Sequence, residues 1–187
     1  MRSLATLVVL AVCLYGCGGS KSLQSASTSD VPDWFNSPPQ DADHLYAVNT
    51  ATSQDIQLAT DKATTGARAE IGRQVEVKMS ALQKRFDEEV GIEKDAQLLQ
   101  QFSSASKSVV STTLTGSRIK KQTQSKDGNI WRSYVLVEYP IGSANQALID
   151  AIRKNDQLYT RFRASETFKE LNEEVQKYEQ SKEPQTK

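Results

Sequence analysis

The sequence predicts an α+β domain in which helices pack against one face of a small, mostly antiparallel sheet, in the order β-α-β-α-β-β-α-α. Three observations predict this fold class: short segments with alternating apolar residues, longer segments with apolar residues three or four apart, and an Asp-Gly pair between two strand-like segments. We expect a single domain over residues 31–180, since about 150 residues are enough to bury a core.

The domain opens with VPDWFNSPP, residues 31–39, whose prolines predict an extended strap and not a helix. Trp34 and Phe35 carry its apolar surface. We favour the interpretation that they plug the strap onto the domain. The alternative is an exposed aromatic hook for a partner, since aromatic residues dominate interface hot spots. The candidates for partner binding are all aromatic: Trp34, Phe35, Tyr46, Phe168 and Tyr178.

Strand and helix are then expected to alternate. Residues 45–52 (LYAVNTAT) suit a first strand, and the helix that follows is capped by Ser53 or Asp55. Up to Ile71 this helix presents alanine at spacings of three or four, so it should lie flat against the sheet. The alternation over residues 75–79 (VEVKM) predicts a second strand with one solvent-exposed face.

The middle of the domain is predicted to hold a turn, a helix and a hairpin. The charged residues 84–94 are expected to form a solvated turn, because their carboxylates lack the loop spacing of calcium ligands. The helical period over residues 95–114 predicts a second helix. Residues 118–124 and 130–139 flank the Asp-Gly turn pair of a hairpin, and the apolar character of both faces makes the second strand central.

Two helices are expected to close the domain. Ser143 and Gln146 match a capping box at the start of the first of them. The last helix runs from about Leu158 to Tyr178, and it either returns to cover the sheet or meets a second copy of the chain. Residues 181–187 are polar, and we expect a disordered tail.

The amino terminus has the features of a secretory signal peptide over residues 1–16: a basic start, an apolar run over residues 4–14 and small residues after it. The run is about half of the roughly twenty residues that cross a bilayer. Removal of this segment takes away Cys13 and leaves Cys17 as the single thiol, which excludes a disulfide within the chain. Haem attachment requires Cys-x-x-Cys-His, which is absent.

Composition after the signal peptide is that of a nearly neutral domain on a tether. Residues 17–30 are small and polar, and a flexible chain of that length spans about 20 Å. Loss of Arg2 from the 23 basic residues leaves 22 against 23 acidic ones. This balance gives no indication of a nucleic-acid partner.

Little in the sequence indicates catalysis or metal binding. His44 is the single histidine, which is too few for a zinc site and has no local partners for a His-based triad. Ser-x-x-Lys occurs at Ser104 and again at Ser117, but the companion motifs of penicillin-recognising enzymes are missing. We therefore expect a protein that is not an enzyme and holds no metal.

The residues Leu14-Tyr15-Gly16-Cys17 resemble the lipobox of bacterial lipoproteins, which directs acylation of the cysteine thiol and then of its amine. This resemblance implies a covalent lipid of the palmitate type on Cys17 and no other cofactor. Two or more acyl chains hold a protein stably on a bilayer. Gly18 stands where an aspartate would retain the protein in the inner membrane, which favours the outer membrane.

The chain resembles the Lpp-twenty family of small bacterial lipoproteins over about residues 31–139. The resemblance is carried by residues 32–34 (PDW), residues 46–50 (YAVNT), the alanine-faced helix and the segment that follows it. Asn49 departs from the family pattern, which more usually has glycine there. The resemblance implies a non-enzymatic outer-membrane lipoprotein, a structural or assembly part of the envelope and in some members of the flagellum. Members can oligomerise, and we predict that this chain can too.

Three functions stay open from the sequence. The first is an interaction module, tethered at the outer membrane with its periplasmic face favoured, that binds other envelope or flagellar proteins through a sheet edge or an aromatic patch. The second is an accessory regulator of a cell-wall enzyme. The third is a binder of a small ligand in a pocket between the sheet and the alanine-faced helix.

Overall fold

The computed structural model of the chain describes residues 31–91 and 95–182. The chain divides into two compact units, residues 1–30 and residues 31–187, and every described residue belongs to the second unit. The predicted signal peptide, Cys17 and the tether therefore lie outside the described residues.

The described part of the chain confirms the predicted α+β class with a small antiparallel sheet. Its elements in chain order are α1 Asp33–Asn36, β1 His44–Ser53, α2 Ile56–Val90, α3 Ala96–Gly116, β2 Arg118–Asp127, β3 Ile130–Pro140, α4 Ile141–Ile152, α5 Asp156–Arg163 and α6 Glu166–Lys182. The first strand, the hairpin and most helices follow the predicted order. The differences are a short helix at the start of the domain and a helix in place of the strand predicted at residues 75–79.

The sheet has the order β1-β3-β2, and both pairings are antiparallel. The hairpin and the central position of its second strand are thus confirmed. Gly128 supplies the positive φ of 56° that the tight turn requires. β2 carries a bulge between Ile119 and Lys121, and it forms an edge of the sheet.

Helix α2 lies flat against one face of the sheet, as its alanine content predicts. The side chain of Asp55 caps the helix by accepting a hydrogen bond from the Leu58 amide at 2.7 Å. Ala59, Ala63 and Ala67 are fully buried. These small side chains allow the backbone of α2 to approach the sheet closely.

The predicted strand over residues 75–79 is wrong, because this segment continues α2. Val75 and Met79 are four residues apart and buried, as one helix face requires, whereas Val77 is 71% exposed. The apolar alternation therefore coincides with a helical spacing. Of the predicted turn, residues 84–90 are also helical, and α2 ends before Gly91, which has a φ of 80°.

The second half of α2 packs with α3 and α6, and its Phe86 ring meets Phe162 of α5. Its 35 residues make α2 about 52 Å long. The core of this helical half is a cluster of three fully buried rings, Phe86, Phe102 and Phe162, with centroids 5.2 to 5.5 Å apart. The predicted helix over residues 95–114 is confirmed as α3.

Two predictions about the last helices need correction. α4 begins directly after Pro140, so Ser143 lies inside its first turn and does not cap it. The single helix predicted from Leu158 is two helices, because the chain turns at Ser165, whose hydroxyl accepts from the Phe168 amide at 3.1 Å. The last helix extends to Lys182, and the rest of the predicted tail lies outside the described residues.

The strap covers the opposite face of the sheet. It is not wholly extended as predicted, since the one-turn helix α1 fits between Pro32 and Pro38. The ring of Phe35 meets Tyr134 of β3 edge-on, with centroids 5.1 Å apart. Tyr134 and Leu136 are buried on this face, which we call the outer face. Apart from α1, the helices thus lie on one side of the sheet, as expected.

Candidate functional site

A chain of polar contacts crosses the outer face near the end of β3. The Tyr46 hydroxyl donates to Asp41 Oδ2 at 2.7 Å and accepts from Lys120 Nζ at 3.0 Å. Lys120 also lies 2.7 Å from Glu138 Oε2, and Arg118 Nε donates to Glu138 Oε1 at 2.7 Å. We call these five residues the Glu138 cluster.

The β-bulge and the strap bring the Glu138 cluster together. Arg118 and Glu138 are direct partners across β2 and β3, and the bulge inserts Lys120 beside them. Tyr46 pairs with Glu138 from the other side of β3. Asp41 belongs to the loop after the strap, where its side chain accepts from the amides of Asp43 and His44.

The electrostatics of the Glu138 cluster show that its charges are balanced within the fold. Burial raises the pKa of Glu138, but hydrogen bonds from Lys120 and Arg118 outweigh it, and the pKa lies below its ordinary value. The bond to Glu138 raises the pKa of Lys120. The Tyr46 hydroxyl lowers the pKa of Asp41 to about 2, and burial raises the pKa of Tyr46. Each acid therefore stays ionised beside a donor.

A cavity of about 930 Å³ opens beside the cluster, between the sheet and α6. Its walls include His44, Arg118, Gly142, Lys177 and Tyr178. The Tyr178 side chain lies so close to Gly142 that a Cβ at that position would come within 2.5 Å of its Cγ. The close approach of α6 to α4 therefore depends on a glycine there. We call this space the Tyr178 cavity.

The five aromatic candidates for partner binding are not brought together as one patch. Trp34 and Phe35 lie on the outer face, with ring centroids 6.3 Å apart, and both are half-buried. Tyr46 belongs to the Glu138 cluster on the same face. Phe168 packs on Phe162 with a centroid distance of 5.5 Å, at the margin of the helical core.

Tyr178, the fifth candidate, forms part of the wall of the cavity named after it. The Nζ atom of Lys182 lies 3.9 Å from the centroid of the Tyr178 ring. The sequence analysis favoured Phe35 as a residue that holds the strap on the domain, and its contact with Tyr134 agrees with that interpretation. The ring of Trp34 meets that of Phe35 edge-on, and its side chain is half-buried.

β2 is the more exposed of the two edge strands of the sheet. Within the described residues β1 and β2 each pair with β3 alone, and α2 covers one face of β1 and β3. We call the unpaired side of β2 its open edge. Its first six residues are exposed, and the strand carries four basic side chains against one acidic: Arg118, Lys120, Lys121 and Lys126 against Asp127. Lysines on an edge strand discourage pairing with a second copy of the same edge.

Sequence reasoning missed Glu138, Lys120 and Arg118. One signal was present, because Glu138 shares a face of the central strand with Tyr134 and Leu136, so that a carboxylate is placed in buried surroundings. A buried carboxylate requires a basic partner. The bulge that supplies Lys120 has no signature in the sequence.

No group of three or more metal-ligating side chains occurs in the part of the chain that the structure describes. Among the same residues, no helix is long and apolar enough to cross a membrane.

Comparison with known proteins identifies the family. A family model described as LPP20 lipoprotein matches residues 32–139, from the strap to the end of the central strand. The match covers more than half of the chain, and the chain therefore belongs to this lipoprotein family, as the sequence resemblance predicted. It is a lipoprotein of the cell envelope. Searches of curated proteins and of solved structures found no significant match.

The matched segment contains every strand of the sheet together with α2 and α3. α4, α5 and α6 lie beyond it. The Tyr178 cavity is therefore built partly from residues outside the matched segment, whereas the Glu138 cluster and the open edge of β2 lie wholly inside it.

Proposed function

We propose that the protein is anchored in the outer membrane through a lipid on Cys17 and is a non-enzymatic structural or assembly module of the envelope. The single observation that carries the proposal is the open edge of β2, a strand of 10 residues whose side chains are more exposed than those of the other edge strand, β1. An extended segment of a partner binds such an edge by adding a strand, with main-chain hydrogen bonds supplying affinity.

The Glu138 cluster supports this proposal over a catalytic role. Its acidic groups bond to donors within the fold, with Glu138 bound by two bases at 2.7 Å. A catalytic acid or base needs a pKa near the working pH, whereas the pKa values of Glu138 and Asp41 are lowered. The arrangement stabilises the edge at which β2 begins.

The charge of β2 favours a partner with acidic side chains over a second copy of β2. Glu138 offsets part of the charge of Arg118 and Lys120, and each copy of the strand would also bring Lys121 and Lys126 against Asp127. Like charges placed opposite each other across strands are destabilising. Self-association, which the family resemblance implies, would then use another surface.

In-cell photocrosslinking tests the edge directly. A photoreactive amino acid at Gln122, on the exposed part of β2, is expected to give a crosslinked product in intact cells. The matched control is the same group at Glu76, which is exposed on α2. No product at Gln122, or equal products at both positions, would contradict the proposal.

The flagellum is the first envelope assembly to test, because the sequence resemblance implies it for some members of the family. Deletion should then abolish motility, and gentle solubilisation of the native lipoprotein should recover flagellar proteins with it. Altered peptidoglycan synthesis with normal motility would instead favour a regulator of a cell-wall enzyme. The Tyr178 cavity is the largest of the described cavities that a small ligand could use, and a thermal-shift screen without a hit would count against a small-ligand function.

A further inference from the structure

Exposed apolar side chains gather at one end of the domain, where α2 begins and the β2–β3 turn lies. Ile56, Leu58 and Ile130 are 40, 47 and 41% exposed, and they are three of the five large apolar side chains exposed in the described residues. Ser53 pairs with Trp131 across the sheet, which places the start of α2 near the start of β3. We call this end the hairpin end, and it comprises Ile56, Leu58, Ile130 and Trp131.

Trp131 adds an amphipathic ring to the hairpin end. It is half-buried, and Lys126 Nζ lies 5.0 Å from its ring centroid. A shallow groove of about 320 Å³ borders both side chains. Tryptophan is enriched at the boundary between lipid and water, and lysine places its stem on apolar surface while its charge stays in water.

The first described residues of the chain cross the sheet near its middle and then run away from the hairpin end. Phe35 rests on Tyr134, which is four residues from the start of β3 and six from its end. From there the chain runs to the far end of the sheet, where the Asp43 carbonyl accepts from the Ile141 amide at 2.8 Å. From Phe35 to Asp43 the chain therefore runs away from the hairpin end.

We propose that the hairpin end contacts the bilayer in which the lipid of Cys17 is inserted, with its apolar side chains at the level of the headgroups. This inference rests on the lipid anchor of the proposed function. A tether with a span of about 20 Å keeps the domain at a high effective concentration over the bilayer, so a small apolar surface suffices.

The charges beside the hairpin end favour apolar contact over attraction to anionic lipid. Two basic and two acidic side chains flank it: Lys126, Arg132, Asp55 and Asp127. Because these charges cancel, the contact should be insensitive to salt and to the fraction of anionic lipid.

Fluorescence quenching by brominated lipid tests this contact, since the chain has two tryptophans, Trp34 and Trp131. The mature lipidated protein is reconstituted into vesicles of phosphatidylethanolamine and phosphatidylglycerol with brominated acyl chains. The Trp34→Phe variant, which keeps Trp131, is expected to show a blue shift and loss of emission. The Trp131→Phe variant should show neither. Unquenched Trp131, or equal quenching of both rings, would overturn the proposal.

A charged substitution separates apolar contact from general proximity. Leu58→Asp in the Trp34→Phe background should restore the emission of Trp131, whereas Val77→Asp, which changes a more exposed side chain on α2, should leave it quenched. Circular dichroism of both variants checks that they are folded. Equal emission from the two variants would contradict the proposal, and a protein partner at this end would leave Trp131 unquenched in pure lipid.

Mass spectrometry of Cys17 keeps the anchor and the surface distinguishable. If the thiol carries no lipid, the anchor of the proposed function is wrong. The same thiol is then coupled to a maleimide phospholipid and the quenching repeated, so that the hairpin end is still tested. Quenching of Trp131 in that preparation supports the contact, and its absence overturns it.

Discussion

The carboxylate of Glu89 caps the helix that begins at Glu166. It accepts hydrogen bonds from the backbone amides of Glu166 and Thr167 at 2.8 and 3.0 Å, and Thr167 also donates its hydroxyl to it. The first amides of a helix have no partner within the helix and carry a partial positive charge. A side chain from the last turn of α2 thus fixes the start of α6, although 77 residues separate them.

Replacement of Glu89 by alanine should lower the free energy of unfolding by about 1 to 2 kcal/mol, the usual cost of losing a cap. Urea denaturation followed by circular dichroism measures the change. Glu173→Ala is the matched control, since Glu173 is exposed on α6 and should change stability little. Equal effects of the two substitutions would contradict the capping role.

Replacement of Glu138 by glutamine should destabilise the domain by about 1 to 3 kcal/mol at pH 7, because Arg118 and Lys120 lose their common carboxylate. The folded-state pKa of Glu138 is lowered from 4.5, so its stabilisation is complete above that pH and disappears as the pH falls below it. The variant should therefore lose less stability than the wild type on acidification below about pH 4.5. Urea titrations over this range measure the difference, and Glu76→Gln should behave like the wild type.

Replacement of Gly66 by alanine should be destabilising even though alanine is the better helix former. A Cβ at residue 66 would lie 2.7 Å from the Cγ of Asn49, which is too close for non-bonded carbons. We expect a cost of about 1 to 3 kcal/mol for the overpacking.

Asn49→Gly should remove that cost, since it vacates the space beside α2. A double-mutant cycle measures the coupling between the two positions, and additive effects would contradict direct contact. This pair also accommodates the asparagine that the sequence analysis singled out at residue 49. An asparagine fits at residue 49 because the facing residue of α2 has no side chain.

Replacement of Phe102 by alanine should destabilise the domain by about 3 to 5 kcal/mol, because the ring is fully buried between Phe86 and Phe162. Val77→Ala should have almost no effect, since that side chain is 71% exposed. Thermal unfolding of the two variants checks both expectations. A large loss at Val77 would indicate that residues 75–79 pack as a strand after all.

The sequence predicted most of the sheet, because its strands carry local signals. A few neighbouring residues were enough to predict the Asp-Gly turn, the apolar faces of β3 and the capped alanine helix. Each of these predictions is confirmed. Residues 75–79 misled the prediction because Val75 and Met79 satisfy both the strand and the helix period. Only Val77 distinguishes the two, and in the helix it is left exposed.

The site was less predictable because its contacts join residues far apart in the chain. Lys120 meets Tyr46 and Glu138 through a bulge, and Glu89 meets Thr167 through the packing of two helices. Neither relationship has a periodic signature. The lone carboxylate at residue 138 was the single local indication that a basic partner had to be nearby.

The length of α2 has a consequence for how the domain loses its structure. One uninterrupted helix contributes Ala63 to the contact with the sheet and Phe86 to the aromatic core, so both halves share one rigid rod. Unfolding of either half of the domain would remove the packing around α2 and expose the apolar residues of the other half. We therefore expect amide protons on both sides to exchange with deuterium at one common rate, as a single cooperative unit.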